Sequence, residues 1–491
     1  MGRARLMDGL DVNLIDGKQV PGGDGGTFET LNPATEEVLG VAADGTAADM
    51  DAAIGAARHA FDTTDWATDP AFRAHCLRQL RDAMVAHADE LRELTIAEVG
   101  APRFLTTLAQ LDSPVADLGH VADLAESYEW TQDLGAATPA GVPSHRWLLR
   151  EPAGVVGAVT PWNFPHQINL AKIGPALAAG CTAVLKPAPD TPWAAAAMAH
   201  LAATETDLPP GVLNVVNSSD HALGAMLSSD PRVDLVSFTG STATGRKVMG
   251  AAAETLKKVF LELGGKSAFI ILDDADLAAA TGLAAFTACT HAGQGCAITT
   301  RLLVPRARYD EAAEATAATM AALGAGDPTE SGTICGPVIS ARQRDRIEGY
   351  LRLAVDEGGT FATGGGRPAD RDRGFFVEPT LITGLDNSAR VAREEIFGPV
   401  LVVIPHDGDD DAVRIANDSP YGLSGAVHSA DSERAWAVAR RVRTGTMSVN
   451  GGVWYGGDVP FGGYKASGIG RESGVLGFEE YLEAKAVAEA V

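Results

Sequence analysis

Apolar residues recur every three or four positions through TAADMDAAIGAARHAF, which opens at Thr46, a residue type suited to capping a helix. The same spacing continues in RAHCLRQLRDAMVAHADELRELTIAEVG, so residues 46–130 read as helical. Residues 12–45, including LNPATEEVLGVAA, predict short strands joined by turns. From about residue 145 the texture changes. WLLREPAGVVGAVTPWNFP runs a strand into a loop, INLAKIGPALAAG is a helix ended by Gly180, and CTAVLKPA is a strand. PWAAAAMAHLAATET then predicts a helix, GVLNVV and DLVSFTG strands, and GSTATGRKVMGAAAETL a further helix. Strands alternating with helices of this length imply right-handed βαβ units and a parallel sheet. The pattern restarts near residue 265, after GGKSAFIILDDADL, and runs to about residue 464.

Two α/β domains follow, which suits a chain of 491 residues, because single cores stop growing at roughly 250–300 residues. Residues 1–128 with 153–264 form one unit and 265–464 the other. Segments 129–152 and 465–491 contain ATPAGVPSHRWLLREP and FEEYLEAKAVAEAV, strand-like stretches with no place in either sheet. Lone strands of this kind pair with other segments or other subunits, so a small β element for oligomerisation is expected.

Composition narrows the function. Hydrophobic residues at 46% and charged residues at 21% describe an ordinary globular chain. A net charge of -25 excludes the clustered Lys and Arg that nucleic acid or an anionic membrane would require. Five cysteines make no disulfide framework, and no apolar run reaches the ~20 residues of a bilayer span. The start, MGRARLMDGLDVNLIDG, lacks the apolar core of a signal peptide and the Ser or Thr that myristoylation needs. A cytoplasmic enzyme without a metal centre is the expectation.

Four stretches hold residues that packing does not require. In HAGQGCAITTR, Cys296 sits in a loop where Gly293 and Gly295 permit tight turns, a setting for a nucleophile more than for a core filler. Cys289 and Cys76 lie in apolar helical runs and read as structural. Glu262 ends the apolar strand of KKVFLELGG, where partial burial would raise its pKa and suit it to general-base work; a capping or ion-paired glutamate is the alternative. Asn163, between the prolines of TPWNFP, offers a neutral N–H donor for an oxyanion, or else simply forms a turn. SFTGSTATGRKV follows a strand and opens a helix, with Gly240 and Gly245 five residues apart, a helix N-terminus able to face a pyrophosphate.

Taken together with PALAAGCTAVLKPA, LPPGVLNVV, GPVIS, EEIFGPVL, YGLSGAV and PFGGYKASGIGRESG, these stretches resemble the aldehyde dehydrogenase superfamily along nearly the whole chain. The resemblance is to the non-acylating, NAD(P)-dependent type. It implies an α/β fold of two Rossmann-like parallel-sheet domains, the first binding cofactor and the second catalytic, plus a small β oligomerisation element. It implies Cys296 as nucleophile, Glu262 as the base that activates water, and Asn163 with the Cys296 N–H as the oxyanion hole. For the cofactor it implies Trp162, Lys186, Gly240, Ser241, Gly245, Leu263, Glu395 and Phe397. NAD is the expected cofactor. Family members that prefer it often carry Glu three residues after the lysine, where this chain has Pro189 and then Asp190, which leaves NADP open. His291 stands where many members have Asn.

The resemblance places Phe164, Ile168, Ala171, Ala297, Trp454 and Phe461 along the substrate path, together with Gln167, Tyr455 and Ile298. Their mostly apolar character points to an aliphatic or aromatic aldehyde more than to a semialdehyde carrying a carboxylate. A lowered thiol pKa at Cys296 and a homodimer or homotetramer complete the expectation. The alternatives are a CoA-acylating enzyme, which Glu262 counts against, and a non-catalytic descendant of the fold, which the full set of site residues counts against.

Overall fold

A computed structural model describes residues 9–491; what was read from the extreme N-terminus lies outside them. Thr46 caps the helix Ala47–Thr63: its hydroxyl accepts from the Asp49 N–H, and the Asp49 carboxylate accepts from the Thr46 N–H at 2.7 Å. This reciprocal pair satisfies two N–H groups that a helix start otherwise leaves unbonded. The helical run continues through Pro70–Ala86, Ala88–Val99, Arg103–Thr106 and Asp112–Ser127. Pro70–Ala86 and Asp112–Ser127 pack on each other and on the helix Pro165–Ala179, forming a layer outside the sheet's own helices.

The first sheet has eight strands, in the order Gly468–Ile469, Lys258–Glu262, Leu235–Thr239, Val155–Val159, Thr182–Lys186, Leu213–Val215, Asn13–Ile15, Lys18–Val20. The five strands from Lys258–Glu262 to Leu213–Val215 are mutually parallel, and each flanking strand pairs antiparallel with its inner neighbour. Helices cover both faces, so TAVLK and LVSFT are buried at every position and read as continuous rather than alternating runs. The second sheet has seven strands, in the order Thr360–Thr363, Thr380–Thr383, Val400–His406, Thr299–Pro305, Ser267–Ile271, Gly425–His428, Ser448–Val449. Only Thr360–Thr363 at its edge is antiparallel. Each sheet has its own hydrophobic core.

The two strand-like segments without a place pair with one another. Leu482–Ala490 lies antiparallel to Ser144–Pro152, which lies antiparallel to Thr131–Ala137. WLLREPAGVVGAV is therefore two strands in two sheets, divided at Gly154, whose φ of 129° suits a residue without a Cβ. Two elements escape the sequence pattern. Ala222–Ser229 is a helix too short to show a period, and Gly468–Ile469 returns from the tail to edge the first sheet. Among the described residues, no helix is long and apolar enough to cross a membrane.

Candidate active site

One cleft of about 740 Å³ collects most of the singled-out residues. The carboxyl ends of the first sheet's strands make one wall. Trp162 and Asn163 follow Val155–Val159, Lys186 ends Thr182–Lys186, Gly240 and Ser241 follow Leu235–Thr239, and Glu262 ends Lys258–Glu262. The second sheet supplies the opposite wall from its amino edge: Cys296 precedes Thr299–Pro305, while Glu395 and Phe397 precede Val400–His406. A crevice beyond the carboxyl ends of parallel strands is where such sheets bind ligands.

The nucleophile loop enters through His291, Ala292 and Gly293, three consecutive left-handed residues with φ of 52°, 52° and 69°. Glycine is required at 293, because a Cβ there would strike the Gly398 carbonyl. Gly295 does not turn the chain as expected; its missing Cβ makes room for the Ile298 side chain, 2.9 Å away. Asn163 is buried, and its Nδ2 donates to the Gln294 carbonyl at 2.9 Å. That bond uses one of two N–H groups and leaves the second for an oxyanion.

Glu262 is only 2% exposed, and it lines the same cleft as Cys296. Its Oε1 has no partner. Burial, reinforced by the nearby Glu472 carboxylate, pushes the Glu262 carboxyl up to about 8, the direction the strand-end position implies. The expectation for Cys296 is corrected. Burial and the Glu262, Glu395 and Glu472 carboxylates push its thiol up rather than down. The carboxylates that serve the later chemistry oppose ionisation of the sulfur. Cys289 and Cys76 are buried with thiols pushed up, Cys76 to about 12, as structural residues should be.

Behind Glu262 lies a pair not picked out from sequence. Lys172 is fully buried, and its Nζ donates to Glu472 Oε1 at 2.8 Å and to Ser237 Oγ at 3.1 Å, over the Phe260 ring. Lys172 lowers and Glu472 raises the Glu262 carboxyl. The signal was a lone cation inside the apolar helix INLAKIGPALAAG.

The cleft fits a dinucleotide. Ser241 caps the helix Thr242–Ala252, accepting from the Thr244 N–H, so that a helix N-terminus opens into the cleft. Gly245 does not line the cleft; its missing Cβ lets the helix approach Leu263, which does. Lys186 Nζ donates to the Ser218 carbonyl at 3.1 Å, and burial pushes it down to about 8. Glu395 accepts from the Gly265 N–H at 3.0 Å over Gly264, where any Cβ would collide with its carboxylate. Trp162 and Phe397 meet edge-on at 5.4 Å, and Phe397 holds a left-handed φ of 63°. Pro189 and Asp190 both line the cleft, with the Asp190 carboxylate 4.0 Å from Arg342.

A second, narrower opening of about 60 Å³ is lined by Ala171, Gln167, Trp454, Tyr455 and Phe461, with Leu118, Val121 and Leu124 from the outer helical layer. Trp454 and Phe461 stack in parallel with centroids 5.5 Å apart. Glu472 reaches this wall, and Asp117 accepts from the Gly457 N–H at 3.2 Å. No Lys or Arg lines the tunnel among the described residues. Phe164, Ile168 and Ala297 are not in its lining: Phe164 packs edge-on against His291, and Ile168 is buried in its helix.

A family model described as the Aldehyde dehydrogenase family matches residues 20–487. The chain is 43% identical to a 3-succinoylsemialdehyde-pyridine dehydrogenase of Pseudomonas sp, over 96% of this chain and 97% of that one. It is also 43% identical to a geranial dehydrogenase of Castellaniella defragrans, over 93% and 94% of the two chains. A betaine aldehyde dehydrogenase of Staphylococcus aureus in complex with NAD+ superposes with a TM-score of 0.94 at 37% identity, covering 98% of this chain and 95% of that one. An aldehyde dehydrogenase C variant of Pseudomonas syringae with NAD+ and octanal gives 0.92 at 38%, covering 99% and 98%.

Proposed function

The chain belongs to the aldehyde dehydrogenase family, and from that premise we propose that it oxidises an apolar aliphatic or aromatic aldehyde to its carboxylic acid through a thioester on Cys296. The observation that carries this is one cleft lined by Cys296, the buried Glu262 carboxyl and Asn163, whose amide is tied to the nucleophile loop.

Trp162, Lys186, Gly240, Ser241, Leu263, Glu395 and Phe397 would hold NAD, which when bound accepts the substrate's hydride. Sγ of Cys296 bonds to the carbonyl carbon while the thiol proton passes to Glu262. The second N–H of Asn163 and the Cys296 backbone N–H receive the oxyanion. Loss of hydride leaves a thioester on Sγ. Glu262 releases the thiol proton to solvent and then takes a proton from water, the oxygen of which attacks the thioester. The C–S bond breaks, Sγ leaves as a thiolate that regains a proton from Glu262, and the acid departs. Burial of Glu262 makes it a base strong enough for this step near neutral pH.

The tunnel supports the substrate class: its walls are aromatic and aliphatic, no Lys or Arg among the described residues lines it to hold a carboxylate tail, and Asp117 would repel one. Relatives named for geranial and for a pyridine-bearing aldehyde agree with an extended, uncharged substrate. Asp190 at the cleft wall supports NAD, while Pro189 leaves NADP as the weaker alternative. The antiparallel sheet formed by Thr131–Ala137, Ser144–Pro152 and Leu482–Ala490, exposed along both outer strands, supports a homodimer or homotetramer. The first sheet's unit binds cofactor and residues 265–464 carry the nucleophile.

Absorbance of reduced nicotinamide with a panel of aldehydes tests this. Aliphatic and aromatic aldehydes should be oxidised, carboxylate semialdehydes poorly, and C296A should oxidise none while still binding NAD. Turnover by C296A would overturn the assignment.

A further inference from the structure

The oxyanion donor is held by a closed ring of three side chains. Asn163 Nδ2 donates to the Gln294 carbonyl at 2.9 Å, Gln294 Nε2 donates to the His291 carbonyl at 3.1 Å, and His291 Nε2 donates to the Asn163 carbonyl at 2.9 Å. Each side chain bonds to the next residue's backbone, and the third returns to the first. Gln294 is fastened from outside as well, its Nε2 donating to the Pro337 carbonyl at 3.2 Å and its Oε1 accepting from the Ile339 N–H at 2.9 Å. Asn163 is 3% exposed, and His291 and Gln294 are wholly buried, so water does not compete for these bonds.

A second donor reaches the Asn163 carbonyl: Gln110 Nε2, at 2.8 Å. Gln110 belongs to the outer helical layer, just before Asp112–Ser127, whereas His291 belongs to the nucleophile loop. Of these two donors, only His291 ties the Asn163 backbone to the loop that carries Cys296. The bond also fixes the tautomer. His291 must carry its proton on Nε2, which leaves Nδ1 a bare acceptor, and Nδ1 has no partner. Burial pushes the imidazole down to about 4, so the ring is neutral across the physiological range. His291 also begins the left-handed turn, and its carbonyl accepts from the Gln294 backbone N–H at 3.1 Å.

We propose that His291 is a positioning residue for the oxyanion hole: its Nε2–H locks the Asn163 backbone to the nucleophile loop and thereby aims the second Asn163 N–H at the substrate oxygen. Without that bond, Asn163 meets the loop only through its own side-chain amide, the group that has to be free to follow the developing charge. The inference rests on the proposed role of Asn163.

The test compares H291F, H291Q, N163A and the double variant N163A/H291F for kcat, for aldehyde KM, and for NAD affinity by quenching of protein fluorescence. H291F keeps a ring but has no donor and should lower kcat on the order of 10- to 100-fold. Its KM and NAD affinity should stay within about twofold of the parent. H291Q, which offers an N–H at a similar reach, should recover most of kcat. The double variant should be no slower than N163A, because the two residues act through one donor. Unchanged kcat in H291F, or effects of H291F and N163A that multiply, would overturn the proposal. Unchanged kcat in N163A would instead remove the oxyanion assignment beneath it. If H291F does not fold, H291L takes its place with the same expectations.

Discussion

The wide cleft that holds Cys296 and Glu262 and the narrow opening beside Trp454 are built by different means. The cleft is wide, about 740 Å³, and its walls are strand ends: backbone positions that the parallel sheets fix before any side chain is chosen. The tunnel is narrow, about 60 Å³, and its walls come from four separate stretches, residues 114–124, 167–175, 454–461 and 472–478, with the stacked Trp454 and Phe461 rings on one side. Topology therefore sets what happens at the cleft, while side-chain bulk sets which molecule reaches it. Substitutions on the cleft side should cost every aldehyde alike, and substitutions in the tunnel should redistribute activity among aldehydes.

The largest effect should follow loss of the base in the cleft. E262Q should lower steady-state turnover by roughly 10²- to 10⁴-fold for every aldehyde, with a stoichiometric hydride burst retained in stopped-flow absorbance. Because the Glu262 carboxyl is raised to about 8, its basic form gains as pH rises through that value. Turnover limited by deacylation should climb through pH 8 and level off above it in the parent enzyme, and E262Q should lose that limb. A smaller, selective effect belongs to the tunnel. A171W should reduce kcat/KM for an eight-carbon aldehyde by about tenfold and leave a two-carbon aldehyde within about twofold, read from paired kinetic curves. Equal losses for both would place Ala171 outside the substrate path. The smallest effect belongs to packing at the cleft's edge. In G245A the new Cβ lies 2.6 Å from Leu263 Cδ2, and crowding of this kind costs roughly 1–3 kcal/mol. Thermal denaturation should show a modest loss and NAD affinity should weaken a few-fold, with aldehyde preference unchanged.

The same contrast governs what the sequence revealed. Motifs at strand ends have fixed spacing, so Asn163, Gly240 and Glu262 could be picked out from the residues themselves and Glu395 from the family resemblance, and the structure gathers all four in one cleft. Both sheets were legible because buried parallel strands leave continuous apolar runs. Tunnel residues have no such spacing: Ala171, Trp454 and Phe461 line it, whereas Phe164, Ile168 and Ala297, neighbours in sequence of the catalytic residues, do not. Contacts between distant segments were invisible. Lys172 and Glu472 are 300 residues apart, and Gln110 meets the Asn163 backbone from a helical layer whose pattern advertises only packing. His291 was visible as a departure, but its ring of bonds required three dimensions. The direction of the thiol shift was misjudged because the fold buries Cys296 and brings three carboxylates to it from separate segments.

The central claim is that the substrate passes through a covalent bond to one sulfur. E262Q mixed with NAD and a saturating aldehyde, quenched in acid after the burst and mapped by peptide mass spectrometry, tests it most directly. An acyl mass, in proportion to the reduced cofactor formed, should appear on the peptide containing Cys296 and on no other cysteine. Reduced cofactor formed without any acylated peptide, or with the acyl group on Cys289, would contradict it.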